Sequence, residues 1–168
     1  TCALPICLSE RLFYQQIKDI SDHNLRATNS RNVDKTRTKN NRFFVGSSQT
    51  DPIAEMEKRL AKCPKFRKDA VKIVNLVFSA SPEFFENSTK QQLNDWEKST
   101  QAYIEETFGK DNIIYSVVHH DEKTPHFHVA IVPIKDGKLN ASYWFDGPAK
   151  LKKLHTDYAK SVKHLGIK

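Results

Sequence analysis

The stretch IIYSVVHHDEKTPHFHVAIVPI, residues 113–134, decides the fold. It contains two apolar, β-branched runs, Ile113 to His119 and Phe127 to Ile134, and a polar turn joins them. Two such runs with a short connection are typical of an antiparallel hairpin. This hairpin is the strongest strand signal in the chain, and the other predicted elements are arranged around it.

Further strands and helices are predicted on both sides of the hairpin. Apolar runs with turn signals predict strands at Thr1 to Phe13, at Ala70 to Ala80 and at residues 139–145. Capping residues followed by helical spacing predict helices that begin at Asp51-Pro52, Ser81-Pro82, Ser88-Thr89 and Gly147-Pro148. The polar segment from Ser21 to Ser48 has no period and is predicted to be one long loop. The mixture predicts one α+β domain over residues 1–168, a central antiparallel β-sheet flanked by helices.

The charge is concentrated in two segments of the 168-residue chain, which carries 27 Lys+Arg and 20 Asp+Glu, a net charge of +7. Six basic residues against one aspartate fall between His23 and Arg42, and six lysines against one aspartate follow Ala149. Such basic surfaces indicate a polyanion partner, with nucleic acid first. No apolar run approaches the roughly 20 residues that a membrane helix needs. Three cysteines without metal-type spacing favour reduced thiols inside a cell.

Histidines in the hairpin predict a metal site. His126 and His128 are two residues apart on a strand and therefore project from one face, about 7 Å apart. His119 ends the preceding strand, and antiparallel pairing brings its imidazole to the same point. Three neutral imidazoles can hold a divalent ion while leaving positions open for substrate. His120 points to the opposite face, and the turn residues Asp121 and Glu122 could accept a proton, orient a ligand or bind the metal.

His23 is the candidate nucleophile. It stands in the basic segment beside Asn24 and Arg26, far along the chain from the hairpin histidines. A neutral imidazole can attack a phosphate that a metal polarises, and nearby arginines would hold the phosphodiester oxygens. The condition is that the predicted loop folds over the metal site, because in-line attack needs an approach of roughly 3–3.5 Å.

These residues together resemble a known family. His119, Glu122, Pro125, His126 and His128 look like the His-hydrophobe-His (HUH) metal motif of plasmid mobilisation relaxases of the Mob/Pre, or plasmid recombination enzyme, type. The resemblance extends over nearly the whole chain through His23-Asn24 with Arg26, the later residues Asn32, Asp34 and Arg37, the run Arg67-Lys68-Asp69-Ala70-Val71, and Ser81-Pro82 with Phe84-Phe85.

The resemblance implies a relaxase domain with the HUH endonuclease fold, which nicks one strand at a plasmid or transposon transfer origin and stays attached to the 5′ phosphate. It implies His23 as nucleophile, Glu122 as a residue that assists the nucleophile or the ligand shell, and His119, His126 and His128 as ligands of Mn²⁺ or Mg²⁺. DNA contacts are implied for Asn24, Arg26, Arg31, Asn32, Asp34, Arg37, Arg67 and Lys68. The expected partners are single-stranded and supercoiled origin DNA in the bacterial cytoplasm. The chain is expected to be the N-terminal part of a longer protein, whose remainder could contact the conjugation coupling machinery.

Three alternatives remain open at this level. The nucleophile could be a tyrosine, Tyr14 or Tyr158, as in replication initiators and transposase-like HUH nucleases, although Tyr158 lies on the apolar stripe of a helix. The metal could be structural in a DNA-binding module that does not cleave. A metal-dependent phosphodiesterase that uses activated water would turn over without a protein adduct.

Overall fold

A four-stranded antiparallel sheet forms the centre of the protein. The computed structural model describes residues 14–28 and 32–167. Its sheet strands are β1 (Arg42–Val45), β2 (Val74–Ser79), β3 (Ile113–His119) and β4 (His126–Ile131). They pair in the order β1-β3-β4-β2, every neighbouring pair being antiparallel. A separate two-stranded ribbon follows, made of β5 (Ile134–Lys135) and β6 (Lys138–Leu139).

Six α-helices surround the sheet in the described part of the chain: α1 (Tyr14–Asn24), α2 (Pro52–Leu60), α3 (Pro82–Asn87), α4 (Lys90–Phe108), α5 (Ser142–Phe145) and α6 (Gly147–Val162). The predicted caps are confirmed. The Asp51 carboxylate accepts hydrogen bonds from the first main-chain N–H groups of α2, and Thr89 forms a capping box with Gln92 at the start of α4. None of the helices in the described residues has the length and apolar composition to cross a membrane.

The sheet is covered on both faces. One core packs α4 and α6 against the sheet and includes Trp96, Tyr158, Phe78 and Phe127. The other core packs α1 and α2 on the opposite face and includes Ile17, Met56, Tyr115 and Val117. Full burial of each large apolar side chain stabilises the fold by about 1.5–3 kcal/mol. The sheet is therefore a rigid platform between two helical layers.

The register of the hairpin sets the positions of its histidines. His119 pairs with His126, and Val117 pairs with His128. This is the antiparallel pairing that the sequence predicts. Because alternate residues of a strand share a face, the three imidazoles emerge together on the face that α1 covers.

The predicted loop over residues 21–48 is wrong as a single element. Helix α1 extends to Asn24, a 3-10 turn spans Thr38–Asn40, and β1 is an edge strand. The polar Ser21 and Asn24 lie on the buried face of α1 and therefore conceal its apolar period. Strand β1 is short and leaves Arg42 and Phe43 exposed, so it lacks the alternation that marks a half-buried strand.

Three other predicted strands differ from the elements in the structure. Residues 139–145 do not form one strand: β6 ends at Leu139, and residues 142–145 form α5, because the Asn140 side chain accepts a hydrogen bond from the Tyr143 N–H and turns the chain into a helix. The strand predicted from Ala70 begins at Val74, and the one predicted over residues 127–134 spans His126–Ile131. The strand predicted at Thr1 to Phe13 lies outside the described residues.

Candidate active site

Three imidazoles converge where β3 ends and β4 begins. His119, His126 and His128 each offer one ring nitrogen, and these nitrogens lie within 4.8 Å of one another. The closest pair is Nε2 of His126 and Nε2 of His128, 3.0 Å apart. The structure thus brings together the three side chains that the sequence predicts as metal ligands.

The other ring nitrogens fix which atoms face the cluster. Nε2 of His119 donates to the main-chain oxygen of Asn24 at 2.8 Å, and Nδ1 of His126 donates to that of Thr124 at 2.8 Å. Both partners are carbonyls and can only accept, so Nδ1 of His119 and Nε2 of His126 carry lone pairs, and that of His126 faces Nε2 of His128 at 3.0 Å. Nδ1 of His119 is buried and has no hydrogen-bond partner among the described residues. A buried lone pair directed at two further imidazoles is what a bound divalent ion would satisfy.

The surroundings of His119 and His128 favour their neutral forms. Burial, followed by the positive charge of Arg26, lowers the pKa of His119 to about 3. Burial, followed by the neighbouring His119 and His126, lowers the pKa of His128 well below its ordinary value. Only neutral imidazole binds a metal, so the site is preorganised for ligation.

His23 lies against this cluster. It occupies the last turn of α1 and is half-buried, and its ring centroid is 6.1 Å from that of His128, at an interplanar angle of 87°. The sequence could only require this closeness as a condition. The fold provides it, because the last turn of α1 lies against the ends of the central strands β3 and β4.

A salt-bridge cluster lies beside the imidazoles. The Arg26 guanidinium contacts both oxygens of Asp121, at 2.5 and 3.0 Å, and the Glu122 carboxylate at 2.7 Å. Burial opposes the charge of Arg26, but the hydrogen bonds to Asp121 and Glu122 dominate and raise its pKa. Oε1 of Glu122 is 3.9 Å from Nδ1 of His119 and 3.9 Å from Nε2 of His126. Glu122 is thus the carboxylate that faces the imidazoles.

Asp121 connects three segments. Besides Arg26, its side chain accepts from the Thr38 hydroxyl at 2.9 Å and the Asn41 amide at 2.7 Å, and its main-chain oxygen accepts from Asp34 N at 2.8 Å. Burial would raise the pKa of Asp121, but these hydrogen bonds hold it well below its usual range. The carboxylate is fully buried; its Oδ2 accepts three of the four side-chain hydrogen bonds and its Oδ1 accepts one, from Arg26. These hydrogen bonds let Asp121 orient the site, and with His119 and Glu122 it also forms a second group whose ligand atoms lie within 4.8 Å of one another.

Buried polar side chains hold the end of α1 on the sheet. The Asn24 amide donates to the Tyr115 hydroxyl at 2.9 Å, and that hydroxyl donates to Oδ1 of Asn75 at 3.0 Å. Asn24 is only 2% exposed and its side chain faces inward, so the DNA contact that the resemblance implies for it stays a prediction. Sequence reasoning missed Tyr115, although its spacing puts its hydroxyl on the same strand face as His119.

A second set of contacts fixes the opposite side of the turn. Nε2 of His120 bonds to the buried Glu97 carboxylate of α4 at 2.8 Å, and Arg42 bonds to the same carboxylate at 2.6 Å. His120 N donates to Oδ1 of Asn41 at 2.8 Å. His120 therefore lies outside the imidazole cluster, as its strand position predicts, and Glu97 and Asn41 are partners that the sequence did not reveal.

The remaining predicted DNA contacts are spread over the surface. Asn32, Asp34 and Arg37 are exposed on the segment that leads to β1, next to the Asp121 turn. Arg67 and Lys68 are exposed before β2, at the end of the sheet away from the histidines. Arg31 lies outside the described residues. The guanidinium of Arg26, expected to grip DNA, is instead engaged with two carboxylates, and its side chain is only 11% exposed.

Comparison with known proteins gives matches over almost the entire chain. A profile of the family described as "Plasmid recombination enzyme" (Mob_Pre) matches residues 6–168. The "65 kDa protein" of Zymomonas mobilis subsp. mobilis is 39% identical over 158 residues, which are 90% of this chain and 27% of that protein. The "Plasmid recombination enzyme type 2" of Staphylococcus aureus is 31% identical over 150 residues, 84% of this chain and 35% of that protein. The chain thus spans roughly a third of the length of these relatives or less.

A solved structure shares the fold. The relaxase domain of MobM, bound with manganese to a 22-nucleotide oriT DNA of plasmid pMV158, superposes with a TM-score of 0.83 over 97% of this chain and 88% of that one, at 23% sequence identity. The predicted α+β relaxase fold is confirmed by this likeness. From the profile match and the relatives, the chain belongs to the plasmid recombination enzyme (Mob/Pre) family.

Proposed function

We propose that residues 1–168 are the catalytic domain of a longer relaxase that nicks one DNA strand at a transfer origin by transesterification. The observation that carries the proposal is the position of His23, whose ring lies 6.1 Å from that of His128 in a cluster of three metal-competent imidazoles. At this separation His23 lies in edge-to-face contact with a metal-competent imidazole, so the nucleophile and the metal could act on the same phosphate. The relatives named for plasmid recombination and the DNA-bound MobM domain support the same substrate class.

His119, His126 and His128 would hold the divalent ion, and the unpartnered Nδ1 of His119 is the atom that most requires one. Three nitrogen donors suit a transition metal, whereas Mg²⁺ prefers oxygen ligands. We therefore favour Mn²⁺, the ion bound in the MobM domain, over Mg²⁺. When bound, the ion would polarise the phosphoryl oxygens and stabilise the charge that develops on them.

In the proposed step, a ring nitrogen of His23 attacks the scissile phosphorus. The P–N bond forms as the bond to the 3′ oxygen breaks, and this oxygen leaves with a proton as a 3′ hydroxyl. The protein keeps the 5′ phosphate as a phosphoramidate, which the 3′ hydroxyl can attack in reverse. Glu122, held by Arg26 beside the imidazoles, would accept the proton that His23 loses or would complete the ligand set.

The geometry favours His23 over either tyrosine. Tyr14 begins α1 and His23 lies in its last turn, so nine residues at ~1.5 Å rise separate their main chains by about 13 Å. Tyr158 is 1% exposed, and its hydroxyl contacts Trp96 and Thr100 in the core. Of the three candidates, His23 is therefore the one whose ring lies against the imidazole cluster in the described structure.

The exposed Asn32 and Arg37, with Asp34 shaping their turn, would line the path of the strand near the site. Arg67 and Lys68 would meet the strand farther away. The substrates would be single-stranded and supercoiled origin DNA in the bacterial cytoplasm. Contacts with the conjugation coupling machinery would belong to parts of the longer protein outside this chain.

Covalent capture from a random pool tests the proposal, because the protein itself then selects the origin sequence. The chain is incubated with Mn²⁺ and single-stranded DNA carrying a randomised window, and strands that stay attached under denaturing conditions are sequenced. Capture of a defined sequence that requires metal and is lost in His23→Ala is expected. His155→Ala, a histidine substitution on α6, is the matched control and should capture normally.

Other results would overturn parts of the proposal. Capture that survives His23→Ala would assign the nucleophile to another residue. Cleaved DNA without an adduct would make the protein a phosphodiesterase, and tight DNA binding without cleavage would make it a binding module.

A further inference from the structure

A cleft of about 550 Å³ lies at the end of the sheet away from the histidines. Its walls come from the segment before β2, including Lys65, Phe66 and Arg67, and from the segment around β6, including Lys138. Val74, which begins β2, pairs with Ile131 at this end, whereas Ser79 pairs with His126 at the other. The cleft is therefore not part of the imidazole site.

Aromatic rings are exposed at this end. Among the described residues, the large hydrophobic side chains that are exposed are Phe43, Phe66 and Tyr143, and two of these three lie here. Phe66 is 38% exposed in the cleft wall, and Tyr143 is 50% exposed in the adjoining helix α5. The wall of this cleft reaches Ser142, and Tyr143 is the next residue of α5 and lines a second cleft. Exposed aromatic rings of this kind mark an interaction surface.

The rings lie among cations. Residues 65–69 and 135–138 contain five basic and two acidic residues. The Lys135 ammonium lies 5.0 Å from the centre of the Tyr143 ring. Arg67 has one acidic neighbour, Asp69, at 3.8 Å, but both are highly exposed, and such a pair is weak enough in water to open for a phosphate. Basic residues interleaved with aromatic rings form the pattern that binds unpaired nucleotides.

We propose that this Phe66 surface, made of Lys65, Phe66, Arg67, Lys138 and Tyr143, binds single-stranded DNA by stacking bases on Phe66 and Tyr143. The inference rests on the proposed function, because the strand bound here is the one whose phosphate reaches His23. The five residue steps from Val74 to Ser79 cover about 17 Å, so the surface would hold the strand at a distance from the nick.

Unpaired bases fit this surface better than a duplex does. A duplex presents phosphates and groove edges, and basic residues can contact these without any aromatic ring. Phe66 and Tyr143 offer faces on which only an unpaired or flipped base can stack. Stacking tolerates any base, so this contact would contribute affinity and register, and would leave sequence choice to other residues.

The test is a titration with single-stranded DNA that contains one 2-aminopurine, a base whose fluorescence falls when it stacks. Phe66→Ala should weaken binding about 5- to 150-fold and remove the fluorescence change, whereas Phe66→Trp should keep both. Lys98→Ala, an exposed lysine on α4, is the control and should bind as the unchanged protein does. Phe66 is exposed, so the Ala variant should keep its thermal midpoint.

This titration requires no cleavage, so its outcome is separable from that of covalent capture. Loss of stacking in Phe66→Ala would support the surface even if no strand were captured. Unchanged affinity and fluorescence in Phe66→Ala would overturn it, even if capture at His23 succeeded. Equal dependence on Phe66 for a duplex of the same sequence would also overturn it, because paired bases cannot stack on the ring.

Discussion

Substitution of Arg26 by alanine should be among the most destabilising changes near the site. Asp121 is fully buried, and Arg26 is the cation that contacts both of its oxygens. Removal of one partner of a buried pair costs about 3–5 kcal/mol, because the other charge stays buried without compensation. Thr38 and Asn41 still donate to the carboxylate, so we expect a loss near the lower end, about 3 kcal/mol.

The backbone at Arg26 supports this importance. Its φ is +61°, in the left-handed region that side chains other than glycine rarely adopt. This conformation ends α1 and costs about 1–2 kcal/mol, which the contacts of the guanidinium offset. Arg26→Gly should therefore be less destabilising than Arg26→Ala by about that amount, since it removes the strain along with the charge.

Urea unfolding measures the free energies. Arg67→Ala is the matched control: its pair with Asp69 is exposed at 3.8 Å, so its loss should cost at most about 1 kcal/mol. The double variant Arg26→Ala/Asp121→Asn should lose less than the sum of the two single changes, because no buried charge remains unpaired. A loss in Arg26→Ala no larger than in Arg67→Ala would refute the account of this cluster.

Three further changes test other parts of the structure. Tyr115→Phe should cost about 1–3 kcal/mol in urea unfolding, because Asn24 and Asn75 lose the hydroxyl between them; full stability would contradict the network. Mn²⁺ at about 100 times its Kd should stabilise the chain by about 2.7 kcal/mol, or roughly 5–11 °C in Tm, and His126→Ala should abolish the shift. Gly46→Ala should cost about 1–2 kcal/mol, because φ is +75° and the new Cβ would lie 2.8 Å from a threonine hydroxyl; an unchanged Tm would contradict that crowding.

The hairpin and its histidines were predictable because their signals are local. Successive side chains of a strand point to opposite faces of the sheet, so the two-residue spacing of His126 and His128 places both imidazoles on one face. The caps of α2 and α4 were predictable for the same reason, since each cap and its partners lie within three residues.

The contacts that arrange the site were not predictable, because they join residues far apart in the chain. Asn24 is a polar residue in a basic segment, which favours a position on the surface. In the structure it is buried, and its hydrogen-bond partner Tyr115 is 91 residues away in the chain. Arg26 and Asp121 are separated by 95 residues. A DNA contact and a buried structural contact use the same polar side chains, so only the tertiary structure distinguishes them.

The central claim is that His23 attacks the DNA, and the most direct test is to locate the adduct. The protein is incubated with Mn²⁺ and a captured strand, digested under neutral conditions that preserve a phosphoramidate, and analysed by peptide mass spectrometry. The account predicts a nucleotide on the α1 peptide, at His23. A nucleotide on Tyr14, Tyr158 or any other residue would contradict it.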